Sequence, residues 1–227
     1  MRFGVVRFPG SCDERDAALA CERFGEAQIV WHRDRDLRGV DAVVLPGGFS
    51  YGDYLRVGAI ARFSPVMEAV GEFARAGGPV LGICNGFQVL CEAGLLPGGL
   101  LPNTGLRFLC RQVEVEVLND ETAFTRACAR EERLSLPVKH GAGRFYAPDP
   151  VLDEMEENGH LALRYAPGHN PNGSARDAAG VTNAGGNVLG LMPHPEHAVD
   201  ALTGSTDGGR LFASVTEWAG AALPVAA

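Results

Sequence analysis

Lysine is almost missing from this chain. Lys139 is the only one, and arginine makes up the rest of the 20 basic residues, set against 28 acidic ones for a net charge of −8. No basic cluster forms either: the longest cationic stretch, His32-Arg33-Asp34-Arg35-Asp36, is interleaved with acids. This excludes nucleic acid as a partner. A G-x-x-x-x-G-K-[ST] phosphate loop is absent, and the single lysine has no such context, so no nucleotide site is visible. No apolar run approaches the ~18 residues of a membrane span. The opening MRFGVVRFPG is too short for a signal peptide and carries no processing site. A cytosolic protein without a membrane partner is expected. No C-x-x-C pair links Cys12, Cys21, Cys84, Cys91, Cys110 and Cys128, so in a reducing compartment they are free thiols. Repeats, low-complexity tracts and linkers are also missing. At 227 residues and 46% hydrophobic content, the chain reads as one domain, residues 1–227, with ample material for a core.

What is present centres on Pro79 to Gly98. Val80-Leu81-Gly82-Ile83 runs into Cys84, and Asn85-Gly86 opens an apolar helical pattern through Phe87, Leu90 and Cys91. Around the cysteine this is G-x-C-x-G, a nucleophile elbow with sulfur in place of the serine oxygen. The glycines suit a sharp strand-to-helix reversal. The helix N-terminus behind the sulfur favours a thiolate. Alone, the pentapeptide fits a packed free cysteine at a tight turn equally well.

The first ~95 residues read as β-α-β, β-α, β-α. Strands are expected at Arg2–Phe8, Gln28–Trp31, Asp41–Leu45 and Val80–Ile83. Ser11 and Glu14 form a capping box for a helix that Gly25 ends, and Ser64-Pro65 opens another with Val66, Ala69, Val70 and Phe73 on one face. Strands apolar on both faces indicate an α/β fold with an open, doubly wound, mostly parallel sheet. The second half adds antiparallel strands: Val113–Val117, Leu134–Val138, Leu161–Tyr165, and a hairpin of Ala179–Thr182 with Val188–Met192. A helix from Gly208 to Ala219 closes the fold, and a loose tail follows from Ala221.

A cysteine nucleophile needs a base and a group to orient that base. His194 ends a strand within Met192-Pro193-His194-Pro195-Glu196-His197. The prolines hold this backbone extended, so His194 and Glu196 share a face. The carboxylate can then bond one imidazole nitrogen and leave the other to the thiol. Zinc on His194, His197 and Cys84 is disfavoured, because H-E-x-x-H is absent and Pro195 denies the helix it needs; no metal is expected. Two backbone donors complete an oxyanion hole. One is the Asn85 N–H after the nucleophile; the other comes from Pro46-Gly47-Gly48-Phe49, at the C-terminal edge of the third strand. Together these residues describe acyl transfer through a thioester.

PGGFSYGDYLR, LGICNGFQVL and MPHPE together resemble the class I, triad-type glutamine amidotransferases. Gly47–Arg56, Cys84–Gln88, Lys139–Phe145, Asn170–Ser174 and Gly186–Gly190 are similar to the glutaminase subunits of phosphoribosylformylglycinamidine synthase, the PurQ family. The likeness runs from the first strand to the last helix. It implies a flavodoxin-like fold. It makes Cys84 the nucleophile on glutamine, His194 the base and acid, and Glu196 its orienting partner. Gly48 and Asn85 become the oxyanion donors. Gln88 and Gly47 would face the substrate, as would His140, Gly141 and Gly143 of a second loop. Arg144 would contact glutamine or the partner. The implied partners are a large synthetase subunit, which uses ATP and Mg, and a small accessory subunit; this subunit needs no cofactor. Ammonia would pass between them in a protected channel, and the isolated subunit would be a poor glutaminase. Two positions depart from the family pattern: Ala142 replaces the glutamate of His-Gly-Glu-Gly, and His197 stands where arginine is usual. A glutaminase serving another synthetase, a related cysteine hydrolase and a non-enzymatic regulatory partner remain as alternatives.

Overall fold

Short apolar runs punctuated by glycine and proline become the strands of a nine-stranded sheet. The structure, a computed structural model, describes residues 1–222. The first half contains β1 (Arg2–Arg7), α1 (Glu14–Glu22), β2 (Glu26–Trp31), β3 (Ala42–Leu45), α2 (Val66–Arg75), β4 (Val80–Ile83) and α3 (Asn85–Glu92). The second half contains β5 (Gly99–Leu101), β6 (Leu109–Val117), β7 (Arg133–His140), β8 (Arg144–Tyr146), α4 (Asp149–Glu157), β9 (Leu161–Tyr165), β10 (Ala178–Thr182), β11 (Val188–Leu191) and α5 (Gly209–Ala222).

The sheet order is β2-β1-β3-β4-β11-β10-β9-β6-β7. From β2 to β11 neighbours are parallel; from β11 to β7 they are antiparallel. β5 and β8 form a separate antiparallel pair. β3, β4 and β11 are buried along their whole length, as their unbroken apolar runs require. The C-terminal ends of β1, β3, β4 and β11 therefore open on one edge, where α/β sheets bind ligands.

Several local expectations change. The Ser11–Glu14 capping box does not form. Ser11 Oγ instead accepts the Phe8 N–H at 3.0 Å, and α1 begins at Glu14 with Asp13 at its cap. Ser64 does not cap α2; its hydroxyl pairs with the Tyr51 hydroxyl at 2.9 Å, and the helix starts after Pro65. β2 is an edge strand with only Val30 buried, so its apolar residues do not mark a two-sided interior strand. The elements β5, β8 and α4 have no counterpart among the elements expected from sequence. The tail expected from Ala221 begins inside α5, and residues 223–227 lie outside the described residues.

Candidate active site

β4 ends at Ile83 and α3 starts at Asn85, so Cys84 alone makes the reversal, with φ +50° and ψ −101°. That conformation is costly for any residue with a β-carbon. The glycines explain how the chain gets so close to itself. A β-carbon on Gly86 would lie 1.9 Å from Leu45 O, and one on Gly82 would lie 2.8 Å from the Gly86 backbone. Cys84 Sγ is buried and donates to Lys139 O at 3.8 Å.

His194 follows β11, the parallel neighbour of β4. It is 1% exposed, and its Nδ1–H donates to Glu196 Oε1 at 2.6 Å. The expected contact is present, but not through an extended backbone. Pro195–His197 forms one turn of 3₁₀-helix, which folds the Glu196 carboxylate back onto the ring. The His194 N–H donates to Pro137 O at 2.8 Å, so the C-terminal half of β7, outermost in the sheet, closes over the site. Nε2 is buried without a hydrogen-bond partner among the described residues, free for a proton in transit. Burial alone would push the imidazole pKa down; the Glu196 carboxylate and the Cys84 sulfur outweigh it and hold it above the usual histidine range.

The loop after β3 is strapped to the segment after β1. Cys12 N–H and Asp13 N–H both donate to Gly47 O at 3.2 Å, and Phe49 N–H donates to Gly10 O at 2.8 Å. Gly48 sits between these bonds in the bridge to Ser11, so its own N–H stays outside the ladder. The Asn85 N–H is among the first four of α3, which have no intrahelical acceptor. Neither N–H has a backbone acceptor among the described residues. The Asn85 side chain holds the same geometry: its Oδ1 accepts from Ser50 N–H at 3.1 Å, and its amide donates to Gln88 Oε1 at 2.8 Å.

A cavity of about 290 Å³ opens over the sulfur. Of the sequence-predicted residues, Cys84, His194, Gly48, Gln88, His140 and Gly141 line it. Glu196 lies behind His194. Gly47 backs the imidazole: a β-carbon there would sit 2.3 Å from Asp13 Oδ2 and 2.7 Å from His194 Cε1. Its glycine therefore makes room for side chains rather than for substrate. Gly143 and Arg144 do not line the cavity. Gly143 works from below, its N–H donating to Asn103 Oδ1 at 3.0 Å, and Arg144 begins β8 with its Nε buried. Gln88 Nε2 donates to Ala142 O at 2.6 Å, which ties the elbow helix to the loop after β7.

Sequence reasoning missed three charged residues on the cavity wall: Asp13, Lys139 and Asp53. Asp13 is 5% exposed, and its Oδ1 accepts from Lys139 Nζ at 2.5 Å. Its Oδ2 lies 3.7 Å from His194 Nδ1. Burial would raise its pKa, but the approach of His197 Nε2 to 3.4 Å, the hydrogen bond from Lys139 and the charge of His194 hold the carboxyl well below the ordinary range. Asp53 goes the other way, pushed up by burial, and its Oδ1 has no partner among the described residues. The isolation of Lys139 in an arginine-rich sequence was the available signal; Asp13 was hidden inside an apparent cap.

Asp13, His194, Glu196 and His197 offer ligand atoms within 4.8 Å of one another, a set able to close around a divalent metal. However, His194 Nδ1 is committed to Glu196 and Asp13 to the Lys139 ammonium. We read the cluster as a charge and proton network. No helix among the described residues is long and apolar enough to cross a membrane.

Comparison with known proteins agrees with this geometry. The family profile of the CobB/CobQ-like glutamine amidotransferase domain matches residues 1–219. The phosphoribosylformylglycinamidine synthase subunit PurQ of Rubrobacter xylanophilus is 59% identical over 95% of this chain and 97% of its own. A chain of the PurLQS structure from Thermotoga maritima superposes with a TM-score of 0.88 at 43% identity, covering 96% of this chain and 98% of that one. A putative GMP synthase component from Thermoplasma acidophilum shares the fold at a TM-score of 0.65 and 17% identity, covering 97% of this chain and 94% of that one.

Proposed function

Because this chain belongs to the CobB/CobQ-like glutamine amidotransferase family, and within it to the PurQ subunits, we propose the following account of how it works. It is the glutaminase subunit of phosphoribosylformylglycinamidine synthase in purine biosynthesis, hydrolysing glutamine to glutamate and ammonia. The ammonia passes to the synthetase subunit, which converts formylglycinamide ribonucleotide to formylglycinamidine ribonucleotide. Its partners are that large subunit together with a small accessory one, as the PurLQS complex implies. Residues 1–227 are assigned to one amidotransferase domain in the cytoplasm, whose reducing conditions keep Cys84 out of disulfides.

The chemistry follows from the residues around the cavity. Cys84 Sγ attacks the side-chain amide carbon of glutamine, and its proton goes to His194 Nε2. Negative charge builds on the amide oxygen, which Gly48 N–H and Asn85 N–H receive. Collapse of the tetrahedral adduct breaks the C–N bond as His194 protonates the departing nitrogen, leaving a thioester on Cys84. His194 then takes a proton from water, the water adds to the thioester carbon, and the C–S bond breaks to release glutamate as His194 returns its proton to the Cys84 sulfur. Glu196 keeps Nδ1 protonated throughout, so Nε2 alone exchanges protons. None of these steps calls on a cofactor.

The cavity wall accounts for binding. Gln88, His140 and Gly141 face the space where the amino-acid end of glutamine would lie. Asp53, with its unmatched buried oxygen, offers the anion for the α-ammonium. Gly143 and Arg144 are assigned a supporting role beneath that wall.

The observation that carries this reading is a cysteine strained into an elbow, with a buried His194–Glu196 pair sharing its cavity. In the reconstituted complex, Cys84→Ala is expected to lower glutamine-dependent ammonia release by roughly 10³-fold or more. Activity supplied with free ammonia should persist in the same variant. Retained glutamine hydrolysis would refute the assignment.

A further inference from the structure

Asp13 is the N-cap residue of α1, yet its carboxylate makes no capping bond. An aspartate at a helix start ordinarily turns its oxygens to the first free N–H groups. Here they turn away from the helix, into the site. One oxygen takes Lys139 Nζ at 2.5 Å and lies 3.4 Å from His197 Nε2; the other lies 3.7 Å from His194 Nδ1. Room for this approach exists because Gly47 has no side chain. The same short segment donates two backbone N–H groups to Gly47 O, next to the oxyanion donor Gly48.

Two buried carboxylates, Asp13 and Glu196, thus flank one imidazole, and a single half-buried ammonium, that of Lys139, offsets them. Two uncompensated anions at this depth would be costly, and so would an ammonium without an anion. Lys139 is also the residue whose carbonyl accepts from Cys84 Sγ. The Asp13–Lys139 pair therefore links the nucleophile's wall, the oxyanion loop and the base.

We propose that Asp13 is a positioning residue for His194: clamped by Lys139, it is a second anionic wall that holds the imidazole in place and stabilises its protonated form from the attack of Cys84 until the proton passes to the departing nitrogen. This rests on the reading of Cys84, His194 and Glu196 as the triad. The titratable groups facing the imidazole are Cys84 from the elbow, Lys139 and His140 from β7, Asp13 from the start of α1, and Glu196 and His197 from its own turn; Cys21 of α1 lies behind Glu196. Only Asp13 and Glu196 are anionic carboxylates among them, so removing either lowers imidazole basicity.

The test uses the full complex and the isosteric Asp13→Asn, which leaves the helix cap as it is. Glutamine-dependent kcat should fall with little change in KM. The limb of the pH profile set by His194 should move down by about one pH unit. Histidine NMR of the same variant should show the His194 titration moving equally. Adding Lys139→Met, which removes the stranded ammonium, should bring both back toward the starting values. An unmoved profile, or a double variant displaced as far as the single one, would overturn the proposal, since damage to the fold would not be repaired by discharging Lys139. Cys84→Ala is assayed alongside. If it stays active, the triad reading fails and the positioning role with it. If it is inactive while Asp13→Asn leaves the profile in place, only the positioning role fails.

Discussion

Cys84 occupies a backbone conformation that its own β-carbon disfavours, and the neighbouring glycines let the rest of the chain impose it. The tightest approach is at Gly86, where Leu45 O fills the space a methyl group would need. We expect Gly86→Ala to cost about 3 kcal/mol or more, because backbone must move on both β3 and α3. Urea unfolding of the two proteins measures it. A methyl group accommodated at less than about 1 kcal/mol would mean that the elbow is looser than described. At this scale the sequence was readable where chemistry and backbone coincide. G-x-C-x-G announced the elbow, and His-Pro-Glu announced the pair behind it. It was unreadable where a residue had two plausible partners. Ser11 and Glu14 looked like a helix start, whereas Ser11 bonds Phe8, Glu14 lies 3.2 Å from Arg7, and Asp13 between them bonds Lys139. Side-chain choices of that kind depend on what tertiary packing brings near.

The loop between β7 and β8 is densely bonded to distant segments. Asn103 donates to His140 O and Arg107 O, both at 2.9 Å, while its own Oδ1 meets His140 Nδ1 and Gly143 N–H, both at 3.0 Å. Asn172 adds a bond to Gly143 O at 2.8 Å. The loop that lines the cavity is therefore held from beneath by two asparagines far away in sequence. His140, the last residue of β7, is buried, and burial followed by the nearby His194 charge pushes its pKa down to about 4. The unfolded chain, near 6.5, binds more protons between those two values. Its contribution to stability is thus complete above pH 6.5 and is lost as pH falls toward 4, up to about 3 kcal/mol. Urea midpoints measured across that window should fall with pH, and less steeply in His140→Gln. Equal slopes would remove His140 from the account. Strand positions at this scale followed from apolar runs, because burial on both faces leaves a continuous signature in β3, β4 and β11. β5 and β8, three residues each, carry no such signature. They pair only because the loops around them are anchored elsewhere.

The molecule as a whole leaves apolar side chains exposed around the cavity mouth. Leu55, 90% exposed, stands between the cavity residues Asp53 and Val57; Leu106, 82% exposed, stands beside the loop that carries Phe108. A rim of this kind is suited to cover by another protein. The glutaminase is one component of a synthetase, so we expect the isolated chain to release ammonia slowly and the rate to rise as the synthetase subunit is titrated in. Leu55→Asp should shift that titration about tenfold or more to higher synthetase concentration while the saturated rate is retained. An unshifted titration would place the docking face elsewhere. Charge contributes to the same picture: the surface is acidic overall, and its arginines are largely paired with carboxylates, as in Arg176 with Asp153 and Glu156. Val188–Leu191 was expected only as half of a hairpin, and its parallel place beside β4 is new, but a parallel core with added antiparallel strands was foreseen from the change in texture at mid-chain. The return of β7 over His194 was not, since a strand's place in sheet order says nothing about where its end bends.

That return has a consequence for the protein while it is being made. β4 and β11 lie side by side, but β11 enters last of all the strands, and Asp13 and Lys139 are 126 residues apart in sequence. A chain still attached to the ribosome presents its nucleophile long before the base, the orienting acid and the closing strand exist. The parallel core can gather early, whereas the hydrolytic centre is a late product of synthesis. An interrupted chain would carry an idle thiol rather than an uncontrolled glutaminase.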